Sequence, residues 1–224
     1  MPLLEIACFN VESALIAQAS GADRIELCKD QHLGGTTPLL SDFRELKNHV
    51  EIPVNVMIRP RGGGFVYNSE ELHQMEVELG MFRGAGADGF VFGILEDWKV
   101  DVKRCRHLLE KAQGKPCTFH RAFDEIAEQD MSDQMEVLID CGFKSILTSG
   151  GKKSALEGSK VLRKLVEDAR GRIDVIAGGG VRSGNIQALK QVTVTETFHS
   201  SAIIAGGELA SKEEVEALKN VIKP

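Results

Sequence analysis

Apolar and polar positions along this chain follow two alternating rhythms. Short runs of strand length carry β-branched and aromatic residues: "LLEIAC" (3–8), "DRIELC" (23–28), "PVNVMI" (53–58), "DGFVFG" (88–93), "PCTFH" (116–120), "KSILTS" (144–149), "DVIAGG" (174–179) and "TETFHS" (195–200). Between them the spacing turns helical. Leu72, Met75, Leu79 and Phe82 share one face, as do Cys105, Leu108, Leu109 and Ala112, and then Gly158, Leu162, Leu165, Val166 and Ala169. The last helix opens on "SKEE", where Ser211 can cap and Glu214 can return the bond. "SGADRIELC" (20–28), "AGADGFVFG" (85–93) and "CGFKSILTS" (141–149) form a partial repeat, each with a glycine ending a helix and a strand starting soon after. Eight strand–helix units in 224 residues predict one domain, a (β/α)8 TIM barrel spanning 1–224. An open doubly wound sheet fits less well, because no "GxGxxG" follows the first run. No nucleotide cofactor is expected.

Polar residues then fall unevenly. Helix-to-strand joints are tight, whereas "KDQHLGGTTP" (29–38) and "RPRGGGFVYN" (59–68) are long strand-to-helix loops. In such a barrel these loops gather at the carboxyl ends of the strands, where ligand chemistry is done. Side-chain alternation predicts an inner wall carrying Glu5, Glu26, Asn55, Arg59, His120 and His199, where an inert barrel would carry Val, Ile and Leu. Buried charges need partners, so these groups form either a salt-bridged plug alone or a catalytic cluster. Asp124 and Arg121 follow His120 at the lip of the fifth strand. Two glycine turns, "TSGG" (148–151, with Ser149 and Gly150) and "GGGV" (178–181, with Gly179 and Gly180), either serve tight geometry or offer amides to an anion. With Arg59, Arg61 and Arg121 they point to a phosphate or carboxylate on the ligand.

Composition narrows the classes. Charged residues make up 27% of the chain and the net charge is −6, with no basic block, which argues against nucleic acid as a partner. No apolar run is long enough to span a bilayer, and the opening "MPLLEIACFN" lacks a basic n-region, so neither a membrane nor a secretory leader is expected. Five irregularly spaced cysteines without a Cys-x-x-Cys pair suit reduced thiols in a cytoplasmic protein. Cys8 and Cys28 end neighbouring strands, and two thiolates suit a soft ion such as Cu(I). Against that, parity turns Cys8 to the face opposite Glu5 unless the strand end bends, and buried single cysteines are common packing residues. Cys105, Cys117 and Cys141 read as packing. His32, in the long loop after the second strand, is the one loop histidine held open for a role.

The motifs "LEIACFNVESALIAQASGADRIELC", "GGTTP", "VMIRPRGGGFVY", "TFHRAFD", "LTSGG", "GGGV" and "FHSSA" occur in that order, and through them the chain resembles the CutC family of copper-homeostasis proteins over nearly its full length. The resemblance implies a (β/α)8 barrel, cytoplasmic and homo-oligomeric, with proposed copper binding at cysteines matching Cys8 and Cys28. Glu5, Glu26, Arg59, Arg61, His120, Arg121, Asp124 and His199 also fall in the family's motifs, more than a copper carrier needs. Two departures stand out. Gly64 occupies a position where members often have Asp, and the segment after "HSSA" is short, which predicts a more open mouth.

Two functions follow. The first is intracellular copper homeostasis, with Cu(I) between Cys8 and Cys28. The second is a cofactor-independent enzyme (isomerase, lyase or hydrolase) acting on a small phosphorylated or carboxylated metabolite. There Glu5 or Glu26 is the base, His120 the acid or its relay, Arg59 and Arg121 the anion clamp, and Asp124 the group that orients Arg121 or His120.

Overall fold

Period-2 alternation in eight segments closes a single barrel. In this computed structural model, which describes residues 2–204 and 207–223, the strands are β1 (Leu3–Cys8), β2 (Arg24–Leu27), β3 (Val54–Met57), β4 (Gly89–Phe92), β5 (Cys117–Phe119), β6 (Ser145–Thr148), β7 (Asp174–Ala177) and β8 (Thr197–Ser200). They run parallel in the closed order β1–β8–β7–β6–β5–β4–β3–β2. The helices are α1 (Val11–Ala19), α2 (Leu40–Lys47), α3 (Ser69–Gly84), α4 (Val102–Ala112), α5 (Met131–Cys141), α6 (Ser159–Ala169), α7 (Ile186–Thr193) and α8 (Lys212–Ile222). This is the (β/α)8 barrel that the alternation predicts.

The two faces of the strands do different work. Leu4, Ile6, Ile25, Leu27, Val54, Val56, Phe90, Phe92, Phe119, Ile146 and Phe198 point outward and are almost wholly buried under the helices. Each such side chain contributes roughly 1.5–3 kcal/mol on burial. Phe143, in the α5–β6 joint, packs on Phe92 and Phe119 at centroid distances of 5.2 and 5.4 Å. With stability supplied by this outer layer, the inner row is free to be polar.

Three local features depart from the sequence expectation or add to it. Ser211 Oγ accepts from the Glu214 amide (3.2 Å), but the Glu214 carboxylate accepts from the Ser183 amide and hydroxyl (2.8 and 2.7 Å), so the capping box of α8 is half formed. Ser183, in the loop after β7, offers two donors where the helix backbone would offer one. A reciprocal box instead opens α3, between Asn68 and Glu71. After β4, a short antiparallel ribbon pairs Leu95–Glu96 with Lys99–Val100 through Asp97 and Trp98, both at positive φ. Two-residue strands are too short to leave a periodic signal. The segment after "HSSA" lies partly outside the described residues, at 205 and 206. No described helix is long and apolar enough to cross a membrane.

Candidate functional site

Register builds the site. Glu5 pairs with His199 across β1 and β8, and Ala7 pairs with Glu26 across β1 and β2. Glu5 is fully buried, and its carboxylate accepts from Arg24 Nε (2.5 Å) and bonds His199 Nδ1 (2.8 Å). Burial alone would push this carboxyl up, but Arg24 and His199 outweigh it and hold it down to about 2. Burial also acts against a charged His199, and the Glu26 and Glu5 carboxyls overcome that and raise it. Because Glu5 takes Nδ1, the Nε2 edge of His199 is left for the cavity. Arg24 escaped the sequence reading, although the alternation that turns Glu26 inward also covers residue 24.

Glu26 lies on the same wall in a different state. It is 3% exposed; Cys28 Sγ donates to its Oε1 (3.3 Å), while Oε2 has no partner among the described residues. Burial, aided by the charge on Glu5, raises its pKa despite His199. Glu5, Glu26 and His199 offer atoms all within 4.8 Å of one another, a spacing that would also admit a metal ion. Cys28 packs inside the barrel with Met57, Val91 and Phe9, whereas Cys8 belongs to the layer between barrel and helices, its thiol donating to the Ile6 carbonyl (3.5 Å). The two sulfurs therefore leave opposite faces of the sheet. Burial first, then the Glu26 charge, pushes both thiols well up.

Across the mouth, β5 ends on His120. Its Nδ1 accepts from the Ala122 amide (3.2 Å), and its buried Nε2 has no partner among the described residues. Burial, and then the nearby Arg59 charge, lowers its pKa to about 3, so the ring is neutral. Arg59 is 5% exposed and donates to the carbonyls of Leu33, Gly35 and Gly63, tying the loops after β2 and β3 together. Phe65 lies beneath that guanidinium (4.8 Å) and against the His120 ring (4.7 Å between centroids).

Asp124 orients Arg121, not His120: Arg121 Nε donates to its Oδ2 at 2.7 Å. The Asp124 carboxylate also accepts from the Ser149 and Gly151 amides (2.9 and 3.0 Å) and from the hydroxyls of Thr148 and Ser149. The Gly150 amide donates to Thr148 Oγ1 (2.8 Å). The "TSGG" turn thus cradles an internal carboxylate, and α6 begins only at Ser159. Arg121 is carried forward to the second turn, where a Cβ on Gly179 would stand 3.4 Å from its Cζ; with φ at +97°, that position suits glycine alone.

A cavity of about 220 Å³ opens among these groups, lined by Glu26, Cys28, Arg59, His120, Arg121, Gly179, Gly180 and His199, together with Phe65 and Arg182. Glu5 lies behind His199, and Asp124, Ser149 and Gly150 lie behind Arg121. Arg61 does not reach the cavity: it donates to Glu71, Gly64 and Val66 and holds its own loop. Arg182, also missed by the sequence reading, donates to the Ser200 hydroxyl (2.9 Å) and the Ile203 carbonyl (3.0 Å). It sits in an irregular loop, where alternation gives no signal. His32, exposed in the second loop, does not line the cavity.

The model of the CutC family matches residues 2–204, which include every group in this wall. The chain belongs to the CutC family. It is 44% identical over 201 residues to the human copper homeostasis protein cutC homolog, covering 89% of this chain and 73% of that protein. The Caenorhabditis elegans homolog of the same name is 42% identical, covering 90% of this chain and 81% of that one. The crystal structure of the putative copper homeostasis protein CutC from Streptococcus agalactiae superposes with a TM-score of 0.86 at 35% identity, over 90% of this chain and 99% of that one. Phosphoribosyl anthranilate isomerase from Thermotoga maritima, at 15% identity and a TM-score of 0.64, shares the fold alone; it covers 99% of this chain and 98% of that one. Within the CutC barrel, the polar inner wall is what the fold itself does not require.

Proposed function

We propose that this CutC-family barrel is an enzyme doing acid–base chemistry on a small anionic metabolite, without a nucleotide cofactor. One observation carries the reading: the unpartnered Glu26 Oε2 and the unpartnered His120 Nε2 are buried in the wall of one cavity. Buried polar groups are nearly always satisfied, and a pair left open around a void awaits a ligand. Glu26 is the proton-transfer group, with His199 beside it and Glu5 fixing the His199 ring. Arg121 and the Gly179–Gly180 turn receive the anion, and Asp124 positions Arg121. At about 220 Å³ the cavity falls below the ~300–1,000 Å³ of common small-molecule sites, so the metabolite is compact. Five unbridged cysteines suit a reducing compartment.

The relatives named for copper homeostasis favour a second reading, with Cu(I) held by Cys8 and Cys28. Two thiolates on one ion must share a space. As placed, Cys8 faces the helices and Cys28 the cavity, so this reading requires the end of β1 to turn.

The experiments separate the two. Thermal stabilisation by a panel of phosphorylated and carboxylated metabolites is measured for the wild type, Glu26→Gln and His120→Asn. The enzyme reading predicts a compound that stabilises the wild type by several degrees and is converted by it, with both effects lost in the variants. Titration with Cu(I) against a competing chelator, repeated on Cys8→Ser and Cys28→Ser, tests the other. An affinity at least tenfold weaker in each variant would favour copper and count against the first reading.

A further inference from the structure

His120 has its tautomer fixed by the backbone. An amide nitrogen only donates, so Nδ1, which accepts from the Ala122 amide at 3.2 Å, carries the lone pair, and the ring proton is on Nε2. A Cβ on Gly93 would stand 2.6 Å from Nδ1, which shows how tightly that side is filled, and Phe65 covers the ring at 4.7 Å. His120, in the cavity wall, therefore carries a neutral, buried N–H donor with no acceptor among the described residues. Leaving such a donor buried and unmade is costly, and a ligand acceptor would remove that cost.

Position decides which acceptor. Arg121 and the Gly179–Gly180 turn line the β5 to β7 side of the mouth, where the reading above puts the anionic group. Glu26, on β2, is three strands away from β5 round the barrel, so a ligand between them meets an N–H donor on one side and a carboxyl oxygen on the other. We propose that the substrate is a small phosphorylated aldehyde or ketone, whose carbonyl oxygen accepts from His120 Nε2–H while Glu26 moves a proton at the adjacent carbon. This rests on the acid–base reading above and names its substrate class.

The step balances without a co-reactant. The carboxylate form of Glu26 takes the proton from the carbon next to the carbonyl, and the C–H electron pair becomes the new C=C bond. The carbonyl π pair moves onto oxygen, where His120 Nε2–H holds the charge. Glu26 then returns the proton to carbon and ends as it began. A neutral imidazole serves better here than an imidazolium, and holding one neutral to polarise a carbonyl is a known catalytic device. Burial and Arg59 keep this ring neutral at physiological pH.

Calorimetric titration with two probes tests the idea. Phosphoglycolohydroxamate mimics the planar enediolate; glycerol 3-phosphate has the same phosphate and similar size but no carbonyl. The wild type should bind the hydroxamate at least tenfold more tightly, and in His120→Ala the two affinities should converge. Equal affinities in the wild type, or a preference that survives His120→Ala, would overturn the carbonyl assignment while leaving an anion site in place. Failure of both probes to bind would remove the assignment together with the reading beneath it. Nitrogen-15 NMR of the wild-type imidazoles needs no variant: a neutral ring protonated at Nε2, shifted by the hydroxamate, agrees with the proposal. A ring protonated at Nδ1, or charged at pH 7, contradicts it.

Discussion

Glu5 and Glu26 are the same side chain on adjoining strands of one wall, yet their surroundings give them opposite tasks. Glu5 is held ionised between Arg24 and His199, and removing it strands both partners in the interior. Glu5→Leu should therefore cost about 3–5 kcal/mol of stability in urea denaturation, as breaking a buried ion pair does. Glu26 has a free oxygen and a pKa raised by burial, so its charged form opposes folding and the fold does not depend on it. For Glu26→Gln the same experiment should show a change within about 1 kcal/mol, while stabilisation by any cavity ligand disappears. Equal losses in the two variants would mean that the wall is one structural network, with no functional member set apart.

At the scale of elements, the loops after β5 and β6 act as one unit because Asp124 ties them together. Asp124→Ala removes the acceptor for the Ser149 and Gly151 amides and frees Arg121. A loss of about 3 kcal/mol is expected from several charge-assisted hydrogen bonds, with faster hydrogen exchange at those two amides and weaker binding of inorganic phosphate. Unchanged exchange at Ser149 and Gly151 would refute the tie. Gly179→Ala should weaken the same binding, since it adds roughly 1–2 kcal/mol of left-handed strain and crowds Arg121. These loops also mark where sequence reading stops. The glycines of "TSGG" announce a turn able to cradle an anion, but the group that fills it, Asp124, comes from another loop, and no local pattern specifies that pairing. Arg61 teaches the same lesson: its spacing in "RPRGG" suits a ligand clamp, yet its donors are taken by Glu71 and its own loop. Strands fared better, because alternation at Glu5, Glu26, His120 and His199 is a local property that a barrel converts directly into a shared interior.

For the whole molecule, these buried groups shape the dependence of stability on pH. His120 has a folded pKa of about 3 against an ordinary 6.5, so the unfolded chain takes up a proton that the folded one refuses. Stability from this source is present above pH 6.5 and is lost as pH falls toward 3. Glu5, lowered from 4.5 to about 2, adds a further loss between those values as acid protonates it. His199 has the opposite sign: its raised pKa stabilises below 6.5 and is lost as pH climbs through the folded value. Chemical denaturation across pH should show the decline beginning near 6.5 in the wild type and near 4.5 in His120→Asn; superimposable curves would deny that His120 is buried neutral.

The fold was legible at this scale too, since eight alternating runs and their glycine joints leave few other ways to bury the outer rows. What the chain alone does not carry is the partnering of each polar group, and that is where function resides. The central claim is that Glu26 and His120 face one ligand. A crystal structure of the protein soaked with 2-phosphoglycolate addresses it directly. The account predicts density in the barrel mouth, with a carboxylate oxygen in hydrogen-bond reach of His120 Nε2 and the phosphate at Arg121 and Gly180. A mouth left empty at saturating ligand, or a ligand bound only outside the barrel, would contradict it.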